Sequence, residues 1–459
     1  MTFSDFSAWN FFVQLGIIFV GVLLGNIIRR KVKFIRNSLV PSSVIAGIII
    51  FTLKFIPVIG DYIDSRFMEM ITYHALGLGF IALGLKSETK TKDKQKLVVL
   101  DTGLITVNTY LIQGIIGLII TILLAVTFMK DLFPTAGLLL PMGFGQGTGQ
   151  ALNIGNVFKT FGFTNGPSFG LSIAAIGFLV ACIVGVIYLN YLKKKGELTI
   201  IDERKKDALS HESIYTEDEA PLNESIDKLT IQIGLVSAVY LFTYLVIFGL
   251  SYLSENYLGK FGVNTVKPLL WGFNFLFGSL FAILAKIIIK KLRTYKLMTH
   301  NYVNNYMMNR LSGMFFDVMI VAGIAAIDWQ NLSGLMLPLL LVCLLGGAGT
   351  FLYVRFACNK IYPEYKHEAF FSMFGMLTGT ASTGMILLRE IDPEFETPAA
   401  SNLVLQQLPA IIFGSPLLLL LTFAAQSLTN TVIMLGIVIG LFVTYNLILL
   451  RKEIFKKKI

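Results

Sequence analysis

Apolar runs of about 20 residues recur along this chain, each long enough to cross the hydrocarbon core of a bilayer. Backbone polar groups in lipid must be satisfied within the spanning segment, so such runs fold as helices. Of the 459 residues, 55% are hydrophobic and only 14% charged, and the mean hydropathy is +0.71. These values leave no room for a large soluble domain. The fold class that follows is an all-α polytopic membrane protein.

The spans read as Trp9–Ile28, Leu39–Phe55, Met68–Leu85 and Leu97–Phe128, then a broken segment at Pro134–Thr160 and a span at Phe163–Tyr191. After a charged stretch come Leu229–Leu253, Val266–Ile289, Leu311–Ile327 and Leu335–Phe356. A second broken segment at Ala369–Ile391, then Ala399–Phe423 and Val432–Leu450, complete the set. The polar, aromatic stretch Tyr302–Arg310 is expected at the membrane interface. Three parts follow: an N-terminal membrane repeat over 1–192 with an extra first span, a cytoplasmic linker over 193–228, and a C-terminal repeat over 229–459 with a final span. The linker holds Asp202-Glu203-Arg204-Lys205-Lys206 and Glu217-Asp218-Glu219 and reads as a solvated connector.

The net charge of +10 does not indicate nucleic acid, because the basic residues sit in short loops between apolar runs. Five Lys or Arg lie in Arg29–Arg36, five in Lys86–Lys96, seven in the linker, five in Lys286–Lys296 and five in Arg451–Lys458. Placing all of these in the cytoplasm puts the N-terminus outside and the C-terminus inside. The first broken segment must then enter and leave from the outer face, and the second from the inner face. From Leu39 in the first half and Val266 in the second, three spans, a re-entrant hairpin and one more span recur in inverted topology; an extra span precedes each set, Trp9–Ile28 and Leu229–Leu253, and Val432–Leu450 closes the chain.

Both hairpins carry glycine-rich, uncharged tips: Gly143-Phe144-Gly145-Gln146-Gly147-Thr148-Gly149 and Thr378-Gly379-Thr380-Ala381-Ser382-Thr383-Gly384. Glycine weakens a helix and lets the backbone approach a ligand. A broken helix exposes amides at one half-helix N-terminus and carbonyls at the other half's C-terminus, which suit a carboxylate and a sodium ion. The hydroxyls of Thr148, Thr380, Ser382 and Thr383 and the amide of Gln146 add hard or polar ligands. Small residues also serve close helix packing; two motifs at equivalent positions favour the site. Asn153 and Asn156 either line the cavity or bond a neighbouring helix, and helix-start chemistry accounts for Thr164 and Asn165.

Ionisable residues inside the membrane are further candidates. Asp101 reads as interfacial, Asp317 lies deeper in its span, and Arg389 either reaches the interface or attracts an anionic substrate. Lys159 reads as reaching the outer interface and His74 as a packing residue. Cys182, Cys343 and Cys358 form neither a metal site nor a disulfide framework. The chain has no phosphate loop, no His-Glu-x-x-His and no Gly-x-Ser-x-Gly, so no enzymatic or ATP-driven function is expected. A channel is the rival class, expected to carry non-saturating flux.

The chain resembles the glutamate:sodium symporter family of bacteria. The resemblance rests on Gly145-Gln146-Gly147-Thr148-Gly149 followed by Phe161-Gly162-Phe163-Thr164-Asn165, with support from Val40-Pro41-Ser42-Ser43-Val44-Ile45-Ala46-Gly47 and Ala82-Leu83-Gly84-Leu85. It implies sodium-driven uptake of L-glutamate by an elevator-type movement, a homodimer, a bacterial inner membrane, and no cofactor beyond sodium as coupling ion. Substrate would be read by Gly145, Gln146, Gly147, Thr148, Gly149, Asn153, Gly379, Thr380, Ala381, Ser382, Thr383 and Arg389. Sodium would be held by oxygens among Thr148, Asn156, Thr380, Ser382 and Asp317. Two departures touch substrate recognition. Gln146 stands where the family often has His, and the second tip lacks the family's Gly-rich, Pro-containing loop. Aspartate, citrate and malate therefore stay open beside glutamate.

Overall fold

The computed structural model describes residues 6–37, 40–57, 59–86, 93–198, 228–298, 302–328, 330–332, 334–392 and 397–451. The linker clusters at 202–206 and 217–219 and most of the basic tail lie outside them. Helices and turns, with no strand, make up the described residues. In the first half these are α1 (Phe6–Lys31), α2 (Lys33–Asn37), α3 (Ser42–Leu53), α4 (Ser65–Leu85), α5 (Asp93–Val126), α6 (Thr148–Thr160) and α7 (Gly166–Lys194). The second half holds α8 (Lys228–Phe261), α9 (Lys267–Gly272), α10 (Asn274–Thr294), α11 (Asn305–Ala326), α12 (Met336–Ile361), α13 (Lys366–Thr378) and α14 (Ala381–Arg389). It ends with α15 (Ala399–Leu405), α16 (Gln407–Leu419), α17 (Leu421–Ala424) and α18 (Leu428–Leu449). Among the described residues, eight helices (α1, α4, α5, α7, α8, α11, α12 and α18) are long and apolar enough to cross a bilayer. The chain is a multi-pass membrane protein.

Local chemistry sets several boundaries. Asp64 caps α4 by accepting from the amides of Arg66 (2.9 Å) and Phe67 (3.2 Å), and Ser427 caps α18 at Asn430 (3.1 Å). Asn304 accepts from Met307 N at 2.8 Å, so the polar residues Asn305–Arg310 open the spanning helix α11 instead of lying apart at the interface. The expected span Val266–Ile289 is interrupted between Gly272 and Asn274. The expected span Ala399–Phe423 divides at Gln406, just ahead of Pro409. Proline has no amide to give a preceding turn, so it is accommodated in the first turn of α16. Asn165 holds the N-cap position of α7 without a side-chain bond to the helix amides, its Oδ1 accepting instead from the Thr164 hydroxyl at 3.3 Å. Pro167, with its fixed φ, starts that helix instead.

The helices pack in two groups. In the first, α4 lies against α11 and α10, α3 against α1 and α11, and α8 against α10. In the second, α5 packs on α12, α16 and α18, and α7 on α6 and α13. Helix α6 makes the main ties between the groups, resting on α4, α11 and α9. Each half of the chain gives its opening spans to the first group and its later ones to the second. Polar contacts tie helix ends together. The Arg451 guanidinium donates to the buried Asp101 carboxylate at 2.8 Å, and Lys86 donates to Asn309 at 2.9 Å. Asp101 is thus a buried ion-pair partner at the end of its span.

Candidate functional site

Two hairpins approach from opposite ends of α7. In hairpin 1 the arm from Pro134 to Gln146 is a mixture of 3₁₀, α and π turns, with Pro134 and Pro141 opening its segments. The chain then turns at Gly147 and returns as α6. The Phe133 ring stacks on Phe163 at 5.2 Å and packs on Phe158 at 5.5 Å, so the arms begin and end together. Gly147 has φ 83° and ψ −171°, a conformation open essentially to glycine alone. Hairpin 2 is α13, a break at Gly379 and Thr380, and α14. Gly375 and Gly384 bring its arms into backbone contact. The Thr380 side chain caps α14 at the Thr383 amide.

The tips meet beside the middle of α7. A β-carbon built on Gly147 lies 3.5 Å from Thr380 Cγ2. One built on Gly177 would fall 2.3 Å from the Thr378 carbonyl oxygen of hairpin 2 and 2.8 Å from the Phe144 ring of hairpin 1. Helix α5 braces both tips from one face, since residues three apart on a helix are neighbours. Tyr110 donates its hydroxyl to the Gly145 carbonyl (3.2 Å). Gln113 Nε2 donates to the Leu377 carbonyl (2.8 Å) and to Thr350 Oγ1 (2.9 Å).

A cavity of about 220 Å³ lies between these tips and the apolar faces of α4, α10 and α11. Gly145, Gln146 and Gln150 reach it from hairpin 1, Gly379, Thr380 and Ala381 from hairpin 2, and Gln406 and Gln407 from the break before α16. Among the described residues, no charged side chain lines it. Both side-chain polar atoms of Gln150 and the Oε1 of Gln406 are buried without a hydrogen-bond partner among the described residues. An unmet buried polar group costs roughly 1–3 kcal/mol, so these amides mark a place for a polar ligand. The first-turn amides of α6 and α14 lack intrahelical acceptors and add partial positive charge on the same side. The chemistry on offer is therefore recognition of an anion by oriented dipoles and amide donors.

The residues expected from the sequence divide as follows. Gly145, Gln146, Gly379, Thr380 and Ala381 line the cavity. Gly147 and Gly149 form the turn and first turn beside it. Thr148 is buried against α11, its hydroxyl donating to the Met319 carbonyl at 3.3 Å. Thr383 is buried with its hydroxyl 3.4 Å from that of Thr380. Ser382 lies in the first turn of α14; its side chain is outside the description. Asn153 Nδ2 donates to the Gly272 carbonyl at 2.9 Å, and its Oδ1 has no partner among the described residues. Asn156 lines a different cavity. Asp317 is exposed on α11 beside Ser43, and Arg389 is exposed at the end of α14; neither lines the central cavity. His74 is 2.6 Å from the Tyr240 hydroxyl, joining α4 to α8.

Sequence reasoning missed Tyr110, Gln113, Gln150 and Gln406. The available signal was polarity inside spans: Asn108-Thr109-Tyr110 and Gln113 interrupt an otherwise apolar run, and Gln406-Gln407 interrupt another.

No curated protein matches the chain. The family model described as sodium/glutamate symporter matches residues 9–368, from the first span to the start of hairpin 2. With hairpin 1, α5 and the whole first group inside that match, the chain belongs to the sodium/glutamate symporter family.

Proposed function

We propose that this chain is a sodium-coupled symporter that takes up L-glutamate by alternating access. The observation that carries the reading is the meeting of two broken-helix tips at an uncharged cavity with unpartnered buried amides. Substrate carboxylates bind the first-turn amides of α6 and α14, with Gln146, Gln150 and Gln406 orienting them. Sodium is a co-substrate held by tip oxygens, drawn from the Gly379 carbonyl and the hydroxyls of Thr148, Thr380, Ser382 and Thr383. Its charge offsets that of the substrate in a site with no cationic side chain.

The hairpins act as re-entrant elements of an inverted repeat. Matching packing supports this: α1 on α3 corresponds to α8 on α10, and α3 on α11 corresponds to α10 on α4. The two helix groups, joined mainly through α6, supply a scaffold and a moving part for an elevator-type transition. The Lys- and Arg-rich loops between the spans face the cytoplasm, which puts hairpin 1 on the outer face of a bacterial inner membrane. The working assembly is a homodimer.

Another small carboxylate is the second reading. It is favoured by one fact: the hairpin 2 tip lies beyond the residues matched by the family model. The test is binding of labelled L-glutamate to purified protein in sodium chloride and in potassium chloride, with L-aspartate, citrate and malate as competitors. Sodium-dependent binding displaced by unlabelled glutamate supports the proposal. Displacement by citrate or malate at lower concentration transfers the assignment to a hydroxyacid.

A further inference from the structure

A second cavity, of about 560 Å³, lies at the bundle end where hairpin 1 begins and ends. Its volume falls in the range of about 300–1,000 Å³ typical of small-molecule sites. It differs from the central cavity in being strongly charged. Arg66 and Glu69 come from the start of α4, Asp328 from just beyond α11, Lys159 and Asn156 from the returning arm of hairpin 1, and Ser168 from α7. Arg66 and Lys159 both lie within electrostatic range of Glu69, yet none of the three makes an ion pair with a described residue. Lys54 adds a further positive charge beside them, its ammonium donating to Ser65 Oγ (2.7 Å) and to the carbonyls of Ala325 (3.1 Å) and Ile327 (2.9 Å).

Three cations and two carboxylates leave one positive charge in excess. An acidic amino acid presents the complement: two carboxylates and one ammonium, with one negative charge in excess. We propose that this cavity is a second, weaker binding site for an acidic amino acid, separate from the central one and independent of sodium. The carboxylates bind Arg66 and Lys159, and the ammonium binds Glu69 and Asp328. Asn156 and Ser168 supply neutral hydrogen bonds.

The site has a mechanical consequence, which rests on the transport reading above. Helix α6 carries Gln150 in the central cavity and Lys159 in this one, about 13 Å apart at 1.5 Å per residue. Lys159 belongs to the group containing the hairpins, whereas Arg66, Glu69 and Asp328 belong to the other. A ligand here bridges the two groups, holds hairpin 1 down and slows turnover at high external substrate.

The test is calorimetric titration of the full chain in nanodiscs with L-glutamate, in sodium and in sodium-free buffer. The wild type is expected to show a sodium-dependent class and a weaker class that persists without sodium. Glu69→Gln with Lys159→Gln should weaken the second class at least tenfold and leave the sodium-dependent Kd within twofold. L-Lysine should not compete for it. Absence of sodium-independent binding in wild type overturns this proposal, as does its retention in the folded double variant. Absence of the sodium-dependent class alone overturns the central-site reading and leaves this one standing. If the double variant does not fold, the single Lys159→Gln, at an exposed position, carries the same comparison.

Discussion

Replacing Gly177 with Ala should separate the two hairpin tips. The new methyl would lie 2.3 Å from the Thr378 carbonyl oxygen and 2.8 Å from Phe144 Cδ1, about 1 Å inside ordinary van der Waals contact on the hairpin 2 side. Overpacking of this kind costs typically about 1–3 kcal/mol. Hairpin 2 borders the 220 Å³ cavity, so its tip has somewhere to retreat and the fold survives. Ligand binding must then push the tip back against the methyl. The strain therefore appears in affinity, at about tenfold per 1.4 kcal/mol. Glutamate binding in sodium should weaken by roughly 5- to 150-fold, with a small change in unfolding temperature. Gly440→Ala on α18 is the control, because nothing lies within 4 Å of its added carbon. Scintillation-proximity binding with both variants reads the difference. Unchanged affinity in folded Gly177→Ala protein would refute the argument that the site forms where both tips close on α7.

Three further outcomes follow from the geometry. Gln150→Leu should raise the unfolding temperature, since it removes two unpartnered buried polar atoms, while weakening glutamate binding about tenfold; a parallel loss of both would contradict a ligand-facing role. Gly147→Ala forces a methyl-bearing residue into φ 83°, ψ −171° at a cost of about 1–3 kcal/mol, and binding isotherms should show a matching affinity loss that Gly162→Ala, also at positive φ (100°) but away from the cavity lining, does not. Arg451→Ala removes a 2.8 Å partner from the buried Asp101, and thermal unfolding should report about 1.5–3 kcal/mol of lost stability with little change in sodium-dependent affinity.

Much of this architecture is legible because lipid restricts backbone conformation so severely. A run such as Gly143–Gly149 cannot sit in hydrocarbon as ordinary helix without a structural reason, and both glycine runs do become breaks. Span ends marked by Lys and Arg were likewise readable. The break at Phe273 was not, because Gly272 alone reads equally as close packing. Asn305–Arg310 misled by being polar: a helix can extend beyond the apolar window when Asn304 caps it. The braces Tyr110 and Gln113 and the orphan amides of Gln150 and Gln406 depend on which element lies opposite, and a single span's periodicity does not specify that. Thr148 shows the same limit, since its hydroxyl meets the Met319 carbonyl of a helix 171 residues away in sequence.

The most direct test of sodium-coupled glutamate uptake is accumulation of labelled L-glutamate in proteoliposomes under an imposed inward sodium gradient. Sodium-coupled symport predicts saturable uptake above the external concentration that collapses when sodium is equal on both sides or replaced by potassium. Uptake indifferent to the gradient, non-saturating flux, or no uptake by folded protein would contradict it.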